Sequence, residues 1–163
     1  MDVNYINPFI VSTRTVFSTM LGIDVNMQRP VLKNNCKSSG DVTGVMGLVG
    51  DKQGTVAISL TKKGAIFIYS SLVGDTCDDI TTEVVDAIGE ITNIISGQAR
   101  KEFEKNNINL SAAIPMVVVG KNVELNFITI APIVSLPFFF SVGNDGIEYM
   151  FIDFSIKETC VNE

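Results

Sequence analysis

Between Glu83 and Phe103 the apolar residues recur with the period of an α-helix, and this stretch limits the fold more than any other. Taking about 100° per residue and Glu90 as zero, Ala87, Ile91, Val84, Ile95, Ile88, Ala99, Val85 and Phe103 fill the arc from about 60° to about 220°. Asn93, Asp86, Gly97 and Glu83 fall on the other side, all within about 60° of Glu90. A helix of this kind must bury one broad face against a second layer and leaves a stripe of acid, amide and glycine in water. Glu90 and Asn93, three residues apart, share that stripe. Polar residues opposite an apolar face are also what any surface helix has, so periodicity alone does not make the stripe a site.

The rest of the sequence narrows the chemistry. At 163 residues the chain is long enough for one domain, 1–163, with a sizeable core. A net charge of -6 and scattered basic residues argue against a nucleic-acid surface, which needs a basic stripe. Histidine is absent, which removes Ser-His-Asp and Cys-His centres and the usual zinc ligand sets. Cys36, Cys77 and Cys160 are odd in number and widely spaced, as expected of reduced thiols in a cytoplasmic protein. The start of the chain lacks the basic and apolar regions of a signal peptide. Ile130 to Val142 is too short to span a membrane and is broken by Pro132 and Pro137.

Along the chain, Asn7-Pro8 reads as a helix start, with Phe9, Thr13, Val16, Phe17 and Met20 as its stripe and Gly22 as its stop. Residues 30–33 are extended, and Val42–Val49 and Thr55–Leu60 form a hairpin around Gly50 to Gly54. Thr61 caps a short helix running to about Leu72 and stopped by Gly74. Asp78 or Asp79 is expected to cap the long helix, which runs to about Lys105. Strands are expected at Ala113–Val119, Glu124–Ile130, Val134–Val142 and Ile147–Lys157, the last two joined by Asn144-Asp145-Gly146. The order of elements predicts an α+β domain, a mostly antiparallel sheet with helices packed on one side.

The segment Asp86-Ala87-Ile88-Gly89-Glu90-Ile91-Thr92-Asn93-Ile94-Ile95-Ser96-Gly97 resembles the motif helix of the CheX/CheC/FliY family of chemotaxis phosphatases. That family places Glu-x-x-Asn, followed four residues later by glycine, on a surface helix. The opening Asn7-Pro8-Phe9 helix, the Gly64-Ala65 helix after a hairpin, and Ile114-Pro115 before Val117-Val118-Val119-Gly120 are similar too. CheC and FliY types carry two such motifs, one in each half. Here residues 7–21 contain no acid, so only one site is assigned, as in the CheX type. The resemblance implies a CheC-like antiparallel sheet with two long helices and one short helix against it.

It also implies a chemistry. The substrate would be the phosphoaspartate of a CheY-like response-regulator receiver, with Glu90 and Asn93 as the catalytic pair. Asn93 would orient the attacking water, since a carboxamide both donates and accepts without carrying charge. Glu90 would pair with the receiver's active-site lysine, and Asp86 and Gly97 would belong to the docking surface. Magnesium would be bound by the receiver; the sequence supplies no evident metal or cofactor site of its own. A homodimer through sheet edges is expected, with the apolar, phenylalanine-rich segment Ala131–Val142 as an unpaired edge. Two other readings stay open from the residues alone: a docking module without turnover, and a glycosidase-like use of Glu90 with Asp86. The second lacks tryptophan or another obvious sugar-stacking surface.

Overall fold

Capping residues and glycines set most of the element boundaries. A computed structural model describes residues 2–158, so Cys160 lies outside the described residues, while Cys36 and Cys77 are free thiols. Helix α1 spans Val3–Val16 and relaxes into a π-helical turn, Phe17–Leu21, ending at Gly22 with φ 65°. Its start lies earlier than Asn7 because Asp2 caps it, its carboxylate accepting from Asn4 N at 2.9 Å. Pro8 is consequently inside the helix rather than in its first turn. Strands β1 (Val25–Met27) and β2 (Val31–Lys33) follow, then the hairpin β3 (Val42–Gly50) and β4 (Lys52–Leu60).

Helix α2 (Lys62–Val73) is capped as expected by Thr61, which accepts from Gly64 N, and ends at Gly74 in the left-handed region, φ 77°. Helix α3 is the long one, Thr82–Lys105. Its cap is Thr81, whose hydroxyl accepts from Val84 N, and not Asp78 or Asp79. Asp79 instead accepts from Ile80 N and pairs with Lys62 at 2.8 Å. The expected strand at Ala113–Val119 forms only from Met116, as β6 (Met116–Val119) beyond Pro115, which has no N–H to donate, and an unexpected short strand, β5 (Leu110–Ala112), precedes it. The long strands β7 (Ile133–Ser141) and β8 (Ile147–Glu158) are joined through a 3-10 turn, Gly143–Asp145.

All pairings are antiparallel, in the order β1-β7-β8-β4-β3-β5, with β2 also on β7 and β6 also on β3. Rows running across the sheet build the core: Leu136, Ile152 and Ile58 stand in one register, Val134, Phe154 and Val56 in another. These residues are buried and face the helices, where Phe9 meets Phe154 and Phe103, and Phe17 and Phe67 meet Phe140. The expected layering, three helices on one face of an antiparallel sheet, is what forms. Alternation within strands follows from the period of two residues.

The other face of the sheet is covered by loops, and its buried residues are mainly polar, with Ala57 and Ile133 among the apolar ones. Asp153 accepts from Lys33 and Ser39, Thr43 shares a hydrogen bond with Ser59, and Thr129 with Ser155. Here Glu124–Ile130, expected as a strand, forms only an isolated bridge between Lys37 and Glu124. Its polar groups find partners outside a strand ladder: Ile128 N donates to Thr55 Oγ1 at 2.9 Å, and Leu125 N donates to Cys36 O at 2.7 Å. The β7 segment is not an edge either. It lies between β8 and the short β1 and β2, with Phe138 and Phe140 in the core. Each rim of the sheet is instead divided between two short strands, β1 and β2 at one end and β5 and β6 at the other.

Candidate active site on helix α3

Two close contacts seat α3 on the sheet, one on each side of Glu90. Thr92 is fully buried, and its hydroxyl donates back to Ile88 O at 2.8 Å. It rests on Gly44 of β3, where a methyl group would fall 2.0 Å from Thr92 Oγ1 and 2.8 Å from its Cβ. Gly89 faces Val117 of β6, whose Cγ2 would lie 3.3 Å from a methyl there. Gly44 and Val117 are register partners, so both contacts rest on one rung of the β3–β6 ladder. An isolated glycine in a strand marks such a close approach, and Gly44 within Val42–Val49 was the sequence signal for it.

With the inner face held, the outer face is what the helical period makes it. Asp86, Glu90 and Asn93 are exposed and Gly97 is half-exposed. The Cβ atoms of Glu90 and Asn93, at i and i+3, lie about 5–6 Å apart on this face. Among the described residues neither side chain has a hydrogen-bond or ion-pair partner within the chain. A carboxylate and a carboxamide are thus presented together and unengaged. Glu83 differs: the Thr81 hydroxyl and its own backbone N–H hold its carboxyl below the ordinary glutamate range. Its charge serves the start of the helix, and the free stripe begins at Asp86.

Beyond Gly97 the stripe opens into a groove of about 270 Å³ lined by Gly97, Arg100, Lys101, Glu104, Asn109 and Leu110. A methyl group at Gly97 would meet nothing nearer than Arg100 Nη2, at 3.8 Å. No packing among the described residues requires glycine there. Arg100 and the groove were not picked out as a site from the sequence, because Asn109 and Leu110 reach it from the loop after α3 and from β5. Among the described residues no group of three or more His, Cys, Asp or Glu side chains is placed to hold a metal ion.

A family model, Chemotaxis phosphatase CheX, matches residues 42–139, from the start of β3 into β7 and across all of α3. The chain belongs to the CheX family. Chemotaxis protein CheX from Desulfovibrio desulfuricans is 33% identical, with a TM-score of 0.82 over 94% of this chain and 99% of that one. The CheY-P phosphatase CheX of Thermotoga maritima is 22% identical over 126 residues, 77% of this chain and 81% of that protein. The CheX of a CheX-CheY-BeF3-Mg+2 complex from Borrelia burgdorferi shares the fold, with a TM-score of 0.76 at 23% identity over 94% of this chain and 98% of that one. As a CheX-family chemotaxis phosphatase the protein is a hydrolase, and the helix that the family motif pointed to is the one whose acid-amide pair stands free. No helix among the described residues is long and apolar enough to cross a membrane.

Proposed function

We propose that the protein removes the phosphoryl group from the phosphoaspartate of a CheY-like receiver domain, ending a chemotaxis signal in the cytoplasm. One observation carries the assignment of residues: Glu90 and Asn93 project from one face of α3, exposed and without a partner among the described residues. An acyl phosphate needs little covalent help. Its hydrolysis depends on a water held in line with phosphorus and on charge neutralised around the phosphoryl oxygens. Asn93 holds the water: its carbonyl oxygen accepts one O–H and its amide donates to the water oxygen. The water oxygen bonds to phosphorus as the bond to the aspartate oxygen breaks, leaving a carboxylate on the receiver and free phosphate.

Glu90 pairs with the receiver's active-site lysine, which fixes the helix over the acyl phosphate. Asp86 and Gly97 belong to the docking surface, the first by charge and the second by leaving room for the partner's backbone. Magnesium is carried by the receiver and no cofactor is held by this chain. Support for a receiver as partner comes from the fold shared with the CheX of the Borrelia burgdorferi complex with CheY. The test is release of labelled phosphate from a phosphorylated CheY-like receiver by catalytic amounts of the protein. Binding without faster release would leave a docking module in place of an enzyme.

We also infer a homodimer, with each Glu90 and Asn93 face left outward, but through a different edge from Ala131–Val142. β6 has β3 as its partner and exposes Met116 at 68% and Val119 at 53%, beside Ile114 at 92%. An apolar edge of this kind favours association. Light scattering at micromolar concentration checks the dimer, and Val119→Lys is expected to shift it toward monomer.

A further inference from the structure

Arg100 stands one turn beyond Gly97 and on the same side of α3 as Asn93. Its Nε is buried and has no hydrogen-bond partner. A buried donor without an acceptor is costly, so such groups call for an explanation. No described residue provides one. No described ion pair includes Arg100, and Glu104, which lines the same groove one turn on, is not paired with it. The helix dipole does not account for it either: α3 continues five residues further, to Lys105, and the dipole acts within the last turn. The guanidinium lies toward the motif, with Nη2 nearest to the space above Gly97.

The outer face of α3 is also divided by charge along its length. Asp86 and Glu90 make its first half acidic, whereas Arg100 and Lys101 bring two positive charges to the next turn, ahead of the single acid Glu104. Glu90 and Arg100, ten residues apart, are separated by about 15 Å along the axis. A partner that sets a cation against Glu90 must therefore meet a cation at that distance. A planar guanidinium that is half-buried along a groove, with no ion-pair partner among the described residues, is matched in shape and charge by a carboxylate that reaches its terminal nitrogens.

We infer that Arg100 is a second anchor of the docking face, taking a carboxylate of the receiver domain in the groove beside Gly97. This rests on the phosphatase reading above and adds the chemistry by which the partner is chosen. Arg100 is a docking residue and not a catalytic one: it lies two turns from Asn93 and contributes to complex formation, while Asn93 contributes to turnover. A receiver that carries a lysine or arginine at the facing position is excluded by like charge.

The experiment compares Arg100→Glu, Arg100→Gln and Arg100→Lys with the parent, using a phosphorylated CheY-like receiver for kcat and KM. The same receiver in its beryllofluoride and magnesium form gives Kd by calorimetry. Arg100→Glu is expected to raise KM and Kd about tenfold or more with kcat at saturation within about twofold. Arg100→Gln should raise them less, and Arg100→Lys should restore part of the loss, having the charge without the fork. The effect of Arg100→Glu should shrink as salt is raised. Parent-like KM and Kd for Arg100→Glu, with the parent active, would overturn the inference and leave the phosphatase reading intact. A fall in kcat together with a lowered melting temperature in Arg100→Gln would assign Arg100 a structural role and also overturn it. A parent that neither binds nor dephosphorylates the receiver would overturn both.

Discussion

Thr92 and Asn93 are adjacent in sequence and opposite in environment. Thr92 is buried to 0% exposure on Gly44, with no room for one more carbon, while Asn93 is exposed and has no hydrogen-bond partner among the described residues. The helix thus divides its labour by face. The inner face, closed by the Gly44 and Val117 contacts, decides where α3 sits; the outer face is free for a partner because the fold does not use it. Changes on the outer face should alter function and leave stability alone. Changes on the inner face should do the reverse. Each substitution below sets one face against the other.

The largest effect is expected at Asn93. Asn93→Ala should lower kcat on the order of 10²-fold or more, about 2.7 kcal/mol of transition-state stabilisation. Its melting temperature and its Kd for the beryllofluoride receiver should stay near the parent's, since a water-orienting group acts in the transition state. Parent-like turnover would reject Asn93 as the water's ligand. On the inner face, Gly44→Ala forces a methyl to within 2.0 Å of Thr92 Oγ1, and overpacking of this kind costs about 1–3 kcal/mol. Thermal unfolding should show that loss, and Gly44→Ala/Thr92→Gly should recover part of it by clearing the clash. A Gly44→Ala protein as stable as the parent would mean that α3 does not bear on β3 there.

Glu90→Ala comes next. It removes one half of the proposed ion pair with the receiver, so Kd and KM should rise roughly tenfold while the melting temperature holds. Unlike Asn93→Ala, it should be visible in binding measured without turnover. Equal affinity of variant and parent by calorimetry would remove Glu90 from the docking pair, whatever its effect on rate.

The outer face was legible in the sequence because helical period fixes direction. Glu90, Asn93, Asp86 and Gly97 fell on the polar side of the wheel, and that side is the exposed one. Caps and glycine stops were legible at Thr61, Gly74 and Gly22 for a similar local reason. The failures were non-local. Glu124–Ile130 has the residues of a strand, but its Ile128 N–H is taken by Thr55 on the sheet's polar face and its Leu125 N–H by the Cys36 carbonyl. Three consecutive phenylalanines suggested an exposed edge, whereas Phe138 and Phe140 close the core under α1 and α2. Which strands form the rim depends on pairing order, and local composition does not encode that. Asp78, Asp79 and Thr81 all suit a helix cap; Asp79 was drawn instead to Lys62 and Ile80.

The smallest effect, and the sharpest on the difference between faces, is expected at Gly97. Glycine inside a helix costs about 1 kcal/mol against alanine, and a methyl here would meet nothing closer than Arg100 Nη2 at 3.8 Å. Gly97→Ala should therefore raise stability by roughly 1 kcal/mol, the opposite sign from Gly44→Ala. A gain that the fold permits but the sequence forgoes points to a constraint outside the chain. If that constraint is the approach of the receiver's backbone, Gly97→Ala should weaken docking several-fold with little change in kcat at saturation. Calorimetry and thermal unfolding on the same sample separate the two effects. A variant that is more stable and binds as tightly as the parent would show that the glycine leaves no room that the partner uses.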